Sequence, residues 1–118
     1  MTSLAIIVLV SCASYGGEFG TLKGTVRDPT GAVMSGVLIR VEHWGLNPST
    51  HKFIVDDEKT MYTDGKGGYS LELPPGAYDI FFSSAAFSPV ARKVEVKGGK
   101  VTLLSPKMKY DRLTKFVE

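Results

Sequence analysis

Apolar and polar residues alternate along most of this chain, and no apolar stripe at helical spacing runs longer than a turn or two. The pattern is cleanest in Thr63-Asp64-Gly65-Lys66-Gly67-Gly68-Tyr69-Ser70-Leu71-Glu72-Leu73-Pro74-Pro75-Gly76-Ala77-Tyr78-Asp79-Ile80. A glycine turn leads into a strand with Tyr69, Leu71 and Leu73 inward, because successive side chains of a strand point to opposite faces. Pro74-Pro75-Gly76 then reverses the chain into an aromatic-rich central strand, with Tyr78, Ile80 and Phe82 toward the core and Phe81 on the other face. Asp64 is expected to cap the glycine turn.

The same rhythm extends to both sides. Leu22, Gly24 and Val26 share one face of a first strand, whose interior glycine points to close packing or a bulge. Asp28-Pro29-Thr30-Gly31 fits a type I turn, and the next strand, residues 36–44, alternates Val37, Ile39 and Val41 against Leu38, Arg40 and Glu42. Gly45-Leu46-Asn47-Pro48-Ser49-Thr50 has loop composition. After it, residues 51–55 and 59–63 read as a hairpin around a charged Asp56-Asp57-Glu58 turn. Phe87 is expected to plug one end of the core, and residues 90–96 and 101–109 to form a closing hairpin around Lys97-Gly98-Gly99-Lys100. About seven short strands without helices predict an all-β fold, an antiparallel seven-stranded β-sandwich with Greek-key connections.

Length and composition narrow this picture. With 118 residues there is room for one domain, and 13 Gly with 6 Pro supply its many turns. A net charge of +2 is too small to support a nucleic-acid partner or direct binding to an acidic membrane surface. Residues 1–12 read as a signal segment, since Leu4-Ala5-Ile6-Ile7-Val8-Leu9-Val10 is an apolar run of signal-core length, far short of the about 20 residues a spanning helix needs. Leu9-Val10-Ser11-Cys12 resembles a bacterial lipobox, which implies lipidation at Cys12 and a membrane contact made through that anchor alone. No Lys or Arg precedes the run, so a start upstream of Met1, a generic secretory signal cleaved near Ala13 and a plain apolar N-terminus all stay open. Residues 13–19 read as a flexible tether, 20–109 as the sandwich and 110–118 as a tail.

Four ordered motifs carry a family resemblance: Gly24-Thr25-Val26-Arg27-Asp28-Pro29-Thr30-Gly31, Ser35-Gly36-Val37-Leu38-Ile39, the Tyr62-Thr63-Asp64-Gly65-Lys66-Gly67-Gly68-Tyr69 turn, and Leu73-Pro74-Pro75-Gly76-Ala77-Tyr78. Together they resemble the carboxypeptidase regulatory-like domain over about residues 20–105. The resemblance implies a transthyretin-like (prealbumin-like) β-sandwich that serves as a non-catalytic accessory module in exported bacterial proteins. Residues 44–58 are longer and more polar than a minimal member needs, which marks them as the place for a specific binding role.

No residues have catalytic spacing. His43, His51, Asp56 and Asp57 lack the short recurrent spacing of a zinc site, and Lys66 stands where a calcium loop in residues 64–68 would need a carboxylate, so neither a metal nor any other cofactor is expected. There is no Gly-x-Ser-x-Gly elbow and no phosphate loop, and the chain does not read as an enzyme. An intramolecular isopeptide bond from Lys23 is disfavoured, because the one Asn, Asn47, lies in a loop and, although Asp111 could substitute for it, Lys23 falls on the solvent face of its strand. Trp44, Phe53 and Tyr62 flank the long loop as candidate binding residues, against the plainer expectation that they cap the core. The expected role is a non-catalytic module that presents loops to a protein partner at the cell surface or in the periplasm. A carbohydrate-binding module using those aromatics is the alternative.

Overall fold

The computed structural model describes residues 18–111 and forms a β-sandwich. Strands β1 (Gly20–Thr25), β2 (Leu38–Asn47), β3 (Lys52–Tyr62), β4 (Gly68–Leu73), β5 (Gly76–Ser83), β6 (Phe87–Ser88), β7 (Val90–Val96), β8 (Val101–Leu103) and β9 (Lys109–Tyr110) make three sheets. The orders are β4-β1-β8, β3-β2-β5-β7 and β6-β9. The two extra strands over the expected seven are the two-residue pair β6 and β9, where the Phe87 and Tyr110 rings stack 5.2 Å apart. Phe87 is half-buried and packs against the core, as expected of a plug.

The period-two reading of the core holds residue by residue. Ile39, Ile80 and Phe82 from the large sheet, Leu22 from the small one, and Val26 and Val37 beside β1 and β2 join one core with no exposed surface. Tyr69, Leu73 and Tyr78 are also buried, and the Tyr69 hydroxyl donates to the Leu104 carbonyl while its ring meets Phe82 edge-on at 5.8 Å. Burial raises the Tyr69 phenol well above its ordinary range.

The two turns form as their residues dictate. Asp28 Oδ1 accepts from Thr30 N at 2.9 Å and Ala32 N at 3.0 Å, while Asp64 Oδ1 accepts from Lys66 N and Gly68 N, both at 2.9 Å. Of the glycines in the second turn, Gly67 alone adopts positive φ, at 75°. Both carboxylates sit below the ordinary value of 3.8, Asp28 chiefly through its bond from the Thr30 side chain and Asp64 through the backbone N–H of Gly68. A depressed folded-state value means a stabilising contribution that is present above the unfolded value and lost as pH falls through the folded one. Stability should therefore decline as pH falls below about 3.8. The Asp28→Asn/Asp64→Asn double variant keeps the acceptors but not the titration, so urea unfolding at pH 5 and pH 3 should show a smaller loss than in the wild type.

Two expected hairpins are corrected. Residues 90–96 and 101–109 do not pair with each other: β7 lies antiparallel to β5, whereas β8 lies parallel to β1 in the opposite sheet. That parallel path continues beyond β8 through Leu104 N to Lys23 O at 2.9 Å and Met108 N to Arg27 O at 2.8 Å. The Lys97-Gly98-Gly99-Lys100 turn thus arches between sheets. Gly20 and Gly24 permit it, since a Cβ on either would fall on a carbonyl oxygen, that of Lys97 or of Leu104.

Residues 51–55 and 59–63 do not pair with each other either. Asp56, Asp57 and Glu58 lie inside the continuous strand β3, which pairs antiparallel along all of β2. The strand ladder runs on through Gly45, Leu46 and Asn47, so the turn shrinks to residues 48–51, where Asn47 Oδ1 accepts from Ser49 N at 2.8 Å and His51 takes φ of 58°. Acidic residues are tolerated there because β3 is an edge strand whose residues are nearly all exposed.

Candidate functional site

The β2–β3 hairpin outruns the sandwich. β2 pairs with β5 only from Leu38 to His43, so residues 44–47 and 52–55 continue as a two-stranded arm about 13 Å long. Its base is fixed at a β-bulge, where His43 pairs with Asp57 and Trp44 with Val55, leaving Asp56 as the extra residue. His43 Nδ1 lies 2.6 Å from Asp56 Oδ1, and the His43 ring packs on Tyr78 at 5.1 Å. Gly45 leaves the room that the Asp56 carboxylate occupies. Tyr78 donates its hydroxyl to the Pro74 carbonyl at 2.6 Å, and its phenol is raised first by burial and then by the charges of Asp57 and Asp56.

Register decides which face each arm residue takes. Ile39 and Val41 point into the core, so Leu38, Arg40, Glu42, Trp44 and Leu46 line the outer face of the large sheet. Their partners Tyr62, Val55 and Phe53 share that face. All three aromatics singled out in the sequence therefore lie on one surface, and none caps the core: Trp44 is 39%, Phe53 69% and Tyr62 64% exposed. They do not form one cluster. Trp44 stands with Leu46, Phe53 and Val55 on the arm, whereas Tyr62 sits opposite Leu38, six residues or about 20 Å along the strand.

Between them runs a charged band. Arg40 Nε is 3.1 Å from Glu42 Oε2, an ion pair without hydrogen-bond alignment, and its guanidinium lies 4.6 Å from the centre of the Phe81 ring. Lys93 Nζ lies 3.1 Å from Asp79 Oδ1. A cleft of about 540 Å³ opens beside Trp44, lined by Ala77 and Val94 and edged by Asp79, Lys93 and Glu95.

Sequence reasoning missed Leu46, Ile54 and Val55 as exposed apolar residues, and Asp79, Lys93 and Glu95 as their polar border. The missed signal is the alternation of Trp44 with Leu46, which carries period two from the second strand into the assumed loop. His51 sits in the tip turn while His43 and Asp56 meet at the arm's base. Among the described residues no group of three or more His, Cys, Asp or Glu side chains stands together as a metal site. Lys23 is exposed, and the Asn47 side chain caps the tip turn. Cys12 lies outside the described residues.

The model of the carboxypeptidase regulatory-like domain matches residues 21–109. The chain belongs to that family. As a carboxypeptidase regulatory-like domain it has a prealbumin-like sandwich, and solved structures share its fold. The TIE protein of Bacillus anthracis superposes with a TM-score of 0.60 at 22% identity, covering 79% of this chain and 17% of that one. GBS52, the minor pilin of Streptococcus agalactiae, gives 0.60 at 16%, covering 80% and 46%. Catechol 1,2-dioxygenase from Acinetobacter gives 0.60 at 11%, covering 80% and 53%. This domain thus spans about half or less of each of these three structures. Comparison with curated proteins returns no match. Pilins and a dioxygenase share the sandwich, so the fold alone does not select a function and the surface must.

Proposed function

We propose that this carboxypeptidase regulatory-like domain is a non-catalytic interaction module of an exported protein, which presents the β2–β3 arm to a protein partner at the cell surface or in the periplasm. The observation that carries this is the arm itself. Trp44, Leu46, Phe53, Ile54 and Val55 are exposed together on a ribbon that projects past the core, although soluble domains seldom gather large apolar side chains in water. Aromatic and aliphatic anchors of this kind supply most of the energy of protein interfaces. Export rests on the apolar run in residues 4–10, and a lipid on Cys12 would tether the module to a membrane that the domain itself does not touch.

A second reading draws on the cleft beside Trp44. An indole with carboxylates and an ammonium at its border suits a sugar ring, which stacks its apolar face and donates hydroxyls to Asp79 and Glu95.

One experiment separates the two. With a photo-crosslinking residue in place of Phe53 in the producing cells, a discrete adduct that protease digests is expected, and the same residue at Glu72 on the opposite sheet should give none. An adduct that resists protease and yields to periodate supports the sugar reading. Absence of any adduct at position 53 refutes both.

A further inference from the structure

β3 closes the large sheet, and no strand among the described residues covers its outer edge. Natural sheets blunt such edges with charges and bulges, because an unpaired row of backbone donors and acceptors is a template for another strand. The half of β3 near the core carries these guards, in the bulge at Asp56 and the run Asp56-Asp57-Glu58. The half on the arm carries a single charge, Lys52, and then the exposed apolar run Phe53, Ile54 and Val55.

We propose that this segment pairs antiparallel with the same segment of a second copy, about a two-fold axis at Ile54. The identification of the second copy rests on the reading of the arm as a docking element, and on complementarity of charge and pattern. Opposite residues in an antiparallel pair share a face, and a two-fold normal to the sheet sets residue 54 against itself. Phe53 then meets Val55 of the partner on the outer face, twice. Lys52 meets the partner's Asp56 beside Asp57 on the inner face, also twice, since Lys52, like Asp57, lies on that face. Neighbouring registers lose this match. Centring on Val55 sets Ile54 against Asp56, centring on Phe53 sets Ile54 against Lys52, and centring on Asp56 sets like charges against each other. The pairing joins two large sheets edge to edge. It also merges the two outer strips of Trp44, Leu46, Phe53 and Val55 into one continuous apolar band.

Sedimentation equilibrium of the full chain over a wide concentration range tests the pairing. The wild type should dimerise, and Ile54→Lys, which sets two ammonium groups against each other on the axis, should remain monomeric while unfolding in urea like the wild type. Lys52→Glu should weaken the dimer about tenfold by facing acid with acid, and adding Asp56→Lys to it should restore most of the loss. A wild type that stays monomeric overturns the proposal, and the crosslink at position 53 then judges the broader reading separately. A dimer that survives Ile54→Lys, or a Lys52→Glu defect that Asp56→Lys does not rescue, overturns it as well.

Discussion

Phe82→Ala should cost about 3–5 kcal/mol of folding stability, enough to unfold a substantial fraction of a domain whose total is about 5–15 kcal/mol. Phe82 is among the largest side chains with no exposed surface. It lies on an inner strand of the large sheet, opposite Ile39 on β2 and Val90 on β7, and its ring packs in an edge arrangement with that of Tyr69 from the other sheet. Truncation leaves a cavity between the two layers, bordered by strands that are held in register on both sides and collapse poorly. Urea unfolding should show the lower midpoint with an unchanged slope, because the surface exposed on unfolding stays nearly the same.

Gly24→Ala should cost about 3 kcal/mol, at the upper end of what added bulk does in a packed interior. Replacing glycine in a strand interior ordinarily helps, since alanine restricts the unfolded chain more. Here the added Cβ falls on the backbone carbonyl of Leu104, and the Ser105 hydroxyl lies close behind. Backbone on one side and the β4 ladder on the other leave no flexible side chain to give way. The strain should open the contact between β1 and the parallel segment after β8, so loss of hydrogen-exchange protection at Leu104, whose amide bonds Lys23, should accompany the drop in urea midpoint.

These two positions mark where the sequence is transparent and where it is opaque. The alternation of Tyr78, Ile80 and Phe82 reveals the core directly, because a strand buried on one face must place every second residue in it. Asp28 and Asp64 reveal their turns for an equally local reason, as each carboxylate bonds backbone amides two and four residues ahead. The Lys97-Gly98-Gly99-Lys100 turn is opaque, since its composition serves a hairpin and an arch between sheets equally well. The choice is made far away, by the missing side chains of Gly20 and Gly24.

The arm was hidden for another reason. Gly45, Pro48 and the Asp56-Asp57-Glu58 run are locally loop-like, and β3 has little burial of its own to betray it as a strand. Pairing with β2 imposes the extended form, and strand preference depends more on such context than on intrinsic propensity. Of the candidate residues, Trp44 and Phe53 were legible as large aromatics beside polar chain. Their shared face became visible only with the register, which also removes Tyr62 from their company.

The sandwich carries the arm, and the arm's apolar side chains add nothing essential to the sandwich. The most direct test is urea unfolding of the Trp44→Ser/Phe53→Ser double variant. The two substitutions together should cost no more than about 1 kcal/mol, the scale of exposed cross-strand contacts. A loss of about 3 kcal/mol or more, equal to that from Phe82→Ala, would make both residues part of the core's support and contradict their assignment to a partner.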